Sequence, residues 1–126
     1  MSEAIEQFFA AVPVRAPEVL HASPSGTLRI DLSDGHRTEH WLVRMWWGGA
    51  EVSRGSEGAD AVWYCSFGLF ERLITGRTQA LAALFRNEST YAGSVILFLS
   101  FRRFFPAAPG TRDPREVARE QVRRAR

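Results

Sequence analysis

Lysine is missing from this sequence, cysteine occurs once, and no apolar run is long enough to cross a bilayer. The single Cys65 allows no intrachain disulfide, so a reducing, cytoplasmic compartment is expected. The strongest apolar run, Val95 to Leu99, reaches Phe101 across Ser100 and then meets Arg102 and Arg103, far short of a membrane span. At most a transient membrane contact is expected. The first residues, Met1 to Glu6, are acidic and place no basic segment ahead of an apolar stretch, which argues against a secretory signal. All sixteen basic residues are arginine, a bacterial-type bias that codon usage explains more simply than bidentate phosphate recognition. A large net excess of either charge is also missing from the body of the chain. Residues 107–126 hold six Arg against Asp113, Glu116 and Glu120, a local +3, whereas residues 1–106 hold ten Arg against eleven acids. The net +2 therefore belongs to the tail. A near-neutral body lacks the basic patch of a nucleic-acid-binding domain, and no nucleic-acid partner is expected.

What the chain does have is aromatic residues, 12% of its 126 positions. That length suits one domain able to bury a core without a disulfide or metal staple. Residues 1–106 are expected to form it, with 107–126 as a Pro/Arg-rich linker and a terminal helix opened by the Asp113-Pro114-Arg115-Glu116 capping spacing. Ile5, Phe8, Phe9 and Val12 predict a helix over 3–12, with Pro13, Pro17 and Pro24 punctuating a loop after it. Leu28, Ile30 and Leu32 alternate with Arg29 and Asp31, and Asp34-Gly35 marks a turn. A longer strand over 38–47 would put Trp41, Val43, Met45 and Trp47 on one face. Gly48-Gly49 leads to a short strand at 51–53, and 61–65 reads as another. The period then becomes helical. Ser66 caps a helix through Leu69, Phe70, Leu73 and Ile74 that stops at Gly76; Thr78 caps a second, through Leu81, Leu84 and Phe85, that stops at Asn87. A strand over 88–92 and a helix from Val95 to Phe105, capped by Ser94, complete the order. Strands segregated from helices predict an α+β fold.

The sharpest local string, His36-Arg37-Thr38-Glu39-His40, matches an inverted zinc-peptidase pattern. That chemistry needs a helix to bring residues four apart onto one metal. Here the string enters a strand, where such positions are about 13 Å apart, and no third ligand accompanies it. No metal and no cofactor is expected. Cys65 sits among Trp63, Tyr64 and Phe67, surroundings that suppress a thiolate. Gly55-Ser56-Glu57-Gly58 lacks the spacing of a nucleophile elbow, and His21 stands alone in a Pro-rich segment. No catalytic residue is assigned. Thirteen aromatic residues lie between Trp41 and Phe105, more than one face of one strand layer needs. The excess fills an over-full core, forms a contact with another copy, or lines an apolar ligand pocket.

The stretch from Trp47 to Phe105 resembles the sterol carrier protein type 2 family of sterol-transfer domains. The resemblance rests on Gly48-Gly49, Ala59-Asp60-Ala61-Val62, Phe70-Glu71-Arg72-Leu73-Ile74-Thr75-Gly76, the helix through Leu81 and Phe85, and Gly93-Ser94 before Val95. Ser94 stands where the family usually has Asp, and Asn87 where Gly is common. The resemblance implies a mixed five-stranded sheet covered on one face by helices, with an apolar tunnel that takes fatty acyl chains or sterols. It places Phe70, Leu73, Phe85, Val95, Phe98, Leu99 and Phe101 near the tunnel, with Trp41, Val43, Met45 and Tyr64 contributed by strands. Arg44, Arg102 and Arg103 are candidates for an acidic headgroup. The reading is a small cytosolic protein that binds an apolar lipid-like ligand: fatty acyl, sterol or polyketide/terpenoid-like. Two alternatives use the same residues. One is a pocket enzyme, an isomerase or cyclase, with Tyr64 or His40 as its polar group; the other is an interaction module, including a homodimer, built on the aromatic surface.

Overall fold

The computed structural model describes residues 3–20 and 25–106; the expected linker and terminal helix, His21 and Pro24 lie outside them. The chain opens with helix α1 (Glu3–Val19), followed by strands β1 (Gly26–Ser33), β2 (Thr38–Trp46), β3 (Gly49–Arg54) and β4 (Ala61–Ser66). Helices α2 (Phe67–Ile74) and α3 (Ala80–Phe85), strand β5 (Thr90–Gly93), helix α4 (Val95–Phe101) and a 3-10 turn (Arg102–Phe104) complete it. The five strands form one sheet in the order β3-β2-β1-β4-β5. β1 and β4 run parallel and the other neighbours antiparallel, so the sheet is mixed, as expected.

Alternation decides which face is covered. Ile30 pairs with Trp41 on β2 and with Trp63 on β4, and Leu28 with Val43 and Ala61, so these side chains share one face. All are buried there beneath α1, α2 and α4. The opposite face carries Arg29, Asp31, His40, Arg44 and Tyr64. The connection from β3 to β4 crosses it, because Arg29 Nη1 donates to the carbonyls of Ser56 and Glu57 at 3.2 and 3.4 Å. That crossing returns the chain in the direction that makes β4 parallel to β1. Among the described residues, no helix is long and apolar enough to cross a membrane.

Local chemistry sets the element ends. The Asp34 carboxylate accepts from the backbone N–H of His36 and Arg37 at 2.8 and 3.0 Å, closing the β1–β2 turn and lowering its own pKa from the ordinary value. Ser66 Oγ accepts from the Leu69 N–H at 3.0 Å, the expected N-cap of α2. α2 ends at Gly76, whose positive φ lets the N–H groups of Gly76 and Arg77 reach the carbonyls of Leu73 and Arg72. α3 ends the same way with Asn87 at φ +58: Asn87 and Glu88 donate to Leu84 and Ala83. Ser94 occupies the N-cap position of α4 without a side-chain cap bond.

Four expectations are corrected. Thr78 does not cap α3, whose N-cap position is Gln79 without a side-chain cap bond. The first helix does not stop at Val12 but runs through Pro13 and Pro17 to Val19. Both prolines lie on its exposed side, while Ile5, Phe9, Val12, Ala16 and Leu20 continue a buried stripe. Burial of that stripe outweighs the two prolines, each of which costs about 3 kcal/mol in a helix interior through its missing N–H and its ring clash. Trp47 does not share the face of Trp41, Val43 and Met45: β2 ends at Trp46, and Trp47 sits in the turn, 71% exposed. The run from Val95 is α-helical only to Phe101 and tightens to a 3-10 turn, where Arg102 and Arg103 take the outer side.

Candidate functional site

Between the helices and the sheet lies a layer of rings. Phe9 from α1 stacks on Trp41 of β2 with centroids 4.1 Å apart and planes 10° from parallel, and on Phe70 of α2 at 5.4 Å and 8°. Phe8, the next residue of α1, stacks on Phe105 at 5.2 Å and meets Phe70 and Phe101 edge-on. Trp63 of β4 meets Phe98 of α4 edge-on at 5.2 Å and also faces Phe70, Phe101 and Phe105. Each such pair contributes about 0.5–1.5 kcal/mol beyond area burial. Five elements spread along the sequence thus supply one continuous aromatic layer, in the position where the family resemblance implies a tunnel; ring-to-ring contacts occupy that space. Inside it, Trp63 Nε1 is buried and without a hydrogen-bond partner among the described residues.

One end of the layer is polar. Glu39 follows the inward alternation of β2 and is buried, 6% exposed. Its carboxylate accepts from Arg37 Nη2 at 3.1 Å and from Trp41 Nε1 at 3.3 Å, and lies 3.8 Å from Arg54 Nη2. The Arg54 guanidinium sits 4.4 Å over the Trp41 ring, and that of Arg37 5.2 Å over the ring of Phe67. On the outer face, Asp31 Oδ1 lies 2.6 Å from His40 Nδ1 and 3.2 Å from Arg29 Nε. Glu39 and His40 therefore point to opposite sides of the sheet and do not face a common site, and among the described residues no three His, Cys, Asp or Glu side chains are grouped to hold a metal. Burial pushes the Cys65 thiol up to about 12, leaving it protonated and inert at neutral pH. A shallow open cleft of about 350 Å³, lined by Ser25, Gly26, Thr27, Arg44, Met45 and Trp46, lies at the start of β1.

Of the residues singled out from the sequence, the structure brings together Trp41, Val43, Met45, Phe70, Leu73, Phe98 and Phe101 in the buried core, with Leu99 packed at its edge. Three are elsewhere. Tyr64 is 48% exposed, because Trp63 and Cys65 take the inward positions of β4 and alternation sends Tyr64 out. Phe85 is 77% exposed, because the short α3 buries Ala80 and Ala83 instead. Val95 is 60% exposed on the first turn of α4, ahead of the buried Leu97 and Phe98. Arg44, Arg102 and Arg103 are exposed, Arg44 on the face away from the rings. The sequence reading missed Phe8, Phe9, Phe104 and Phe105 as partners of the same layer and Glu39 as a buried acid. The usable signals were the helical spacing of Ile5, Phe9 and Val12 and the inward register of Glu39 two residues before Trp41.

No family model and no curated protein matches the sequence, so comparison rests on shape. The palmitated sterol carrier protein 2 like 2 of Aedes aegypti superposes with a TM-score of 0.66 at 17% identity, over 81% of this chain and 92% of that one. The sterol carrier protein 2 of the same organism, solved as a complex with the C16 fatty acid palmitate, gives 0.62 at 15% identity over 84% and 100%. A ubiquinone synthesis protein, UbiJ, also a sterol carrier protein 2 domain, gives 0.56 at 15% identity over 79% and 94%. Strand order, parallel β1–β4 pair and helical cover agree with that likeness: the chain has the fold of the sterol carrier protein 2 domains.

Proposed function

We propose that this protein binds one apolar lipid-like molecule, a fatty acyl, sterol or polyketide/terpenoid-like compound, within the aromatic layer. The observation that carries this reading is the layer itself: rings from α1, β2, β4, α2 and α4 meet across a single buried plane. Two structures of the same fold are described with palmitate, which supports a fatty acyl chain as the first candidate. The residues proposed to line the site are Trp41, Val43, Met45, Phe70, Leu73, Phe98, Leu99 and Phe101, joined by Phe8, Phe9 and Phe105. Entry parts the rings. Burying about ten methylenes at about 0.8 kcal/mol each contributes about 8 kcal/mol. Separating three ring pairs costs about 1.5–4.5 kcal/mol on the scale of such pairs, and the surplus offsets the entropy of ordering the chain. A cytosolic location fits the single buried thiol.

Tryptophan emission tests the proposal. Trp41 and Trp63 are buried in the layer, whereas Trp46 and Trp47 reach the surface. In a Trp46→Phe, Trp47→Phe background the signal comes from the layer alone. Titrated palmitate is expected to give a saturable change and a one-to-one bound mass by native mass spectrometry. No change and no bound mass up to the solubility limit would refute it. The exposed Trp46 and Trp47 favour a second reading, in which the β2–β3 corner contacts another copy or another chain. Light scattering decides that: a monomer at micromolar concentration removes the homodimer form of it.

A further inference from the structure

We infer that Arg37 and Arg54 form the headgroup site for a carboxylate-bearing lipid, at the polar end of the aromatic layer. The inference rests on the binding reading above and names the ligand class that this end of the site selects. Two guanidiniums converge on one buried carboxylate, so the cluster of Arg37, Arg54 and Glu39 carries a net charge of +1. One further anion neutralises it; a neutral headgroup does not. Each arginine reaches Glu39 through Nη2 alone, and the arginine side chains are half-exposed, 45% and 50%. Their remaining N–H groups are thus placed to donate to an incoming oxygen, the bidentate geometry that guanidinium favours.

The cluster is also joined to the layer rather than merely near it. Arg54 stacks on Trp41, Trp41 on Phe9, and Phe9 on Phe70, one unbroken line of contacts from a surface cation into the deepest rings. Glu39 holds both Arg54 and the Trp41 indole N–H. An anion that draws Arg54 away from Glu39 also draws it off the Trp41 ring, so headgroup binding and parting of the Phe9–Trp41 stack favour each other. Glu39 then acts as an internal competitor for the ligand's carboxylate.

Dodecanoate and dodecanol, titrated below their aggregation limits at pH 8 and followed by tryptophan emission, test this on the intact protein. Dodecanoate is expected to bind about tenfold more tightly than its alcohol, the scale of one charge-assisted hydrogen bond. That preference falls as salt is raised, because the arginines are half-exposed. Arg54→Gln is expected to abolish the preference of dodecanoate over dodecanol. Glu39→Gln, which keeps an acceptor for the Trp41 N–H, is expected to strengthen dodecanoate binding. Equal binding of acid and alcohol, without salt dependence, overturns the headgroup site and leaves the apolar site standing. Binding of neither overturns both.

Discussion

Phe9→Ala is the most informative single change, because Phe9 is the ring that joins α1 to both the sheet and α2. It is 1% exposed and contacts the rings of Phe8, Trp41, Phe70 and Phe101. A buried Phe removes roughly 150–250 Å² from water, which at about 25 cal/mol per Å² is about 4–6 kcal/mol. The denatured chain already hides part of that area, so a loss of about 3–5 kcal/mol is expected, the usual cost of Phe→Ala in a packed core. Against a total stability of about 5–15 kcal/mol, the variant is expected to fold with a much earlier urea midpoint. The cavity it leaves lies in the proposed ligand site. Palmitate is therefore expected to restore more stability to the variant than to wild type, since one stack no longer has to part. At a free concentration of one hundred times Kd the gain is about 2.7 kcal/mol. Urea melts of both proteins, with and without palmitate, measure all four values. A loss below about 1.5 kcal/mol would refute tight packing of the layer. A full loss with no greater rescue than wild type would refute the placement of the ligand there.

Ser66→Ala removes the oxygen that accepts from the Leu69 N–H and is expected to cost about 1 kcal/mol in urea melts. Asn87 ends α3 at φ +58; Asn87→Gly is expected to be neutral or stabilising and Asn87→Val to cost about 1–2 kcal/mol, measured by the same melts. The Cys65 thiol is held up to about 12 by burial, so it is expected to resist alkylation in the native protein at pH 8 and to react fully in urea. Because the unfolded thiol ionises near pH 9 and the folded one does not until about 12, stability is expected to fall between those values as pH rises, by at most about 1.4 kcal/mol per unit. Tyr91, also pushed up to about 12 mainly by burial, adds to the same decline above pH 10, and Cys65→Ala is expected to leave only that part.

Much of the fold is legible wherever neighbouring residues decide it. The inward set Leu28, Ile30 and Leu32 follows from period-two alternation, and the same rule carries Trp41, Val43 and Met45 onto one face. The α2 cap at Ser66 and the left-handed stop at Asn87 follow from side-chain chemistry available within four residues. The errors arise where burial elsewhere overrules the local signal. Pro13 and Pro17 read as a loop because proline lacks a donor, yet the stripe beyond them had a core to enter. Phe85 reads as buried because it is aromatic and helical, yet a six-residue helix has room to bury only its two small residues, Ala80 and Ala83.

By itself, the sequence determined the element order, the inward-facing strand residues, the stops of α2 and α3 and an aromatic content beyond the needs of one sheet face. These depend on backbone periods and on groups a few bonds apart. Only the tertiary structure decided which rings meet: that Phe9 stacks on Trp41, 32 positions away, and that Arg15 reaches the Phe104 carbonyl 89 residues on. It alone placed Glu39 in the core between Arg37 and Arg54. Such pairings are chosen by the packing of whole elements, where each ring competes with every other apolar surface for the same space, and no local period encodes the winner.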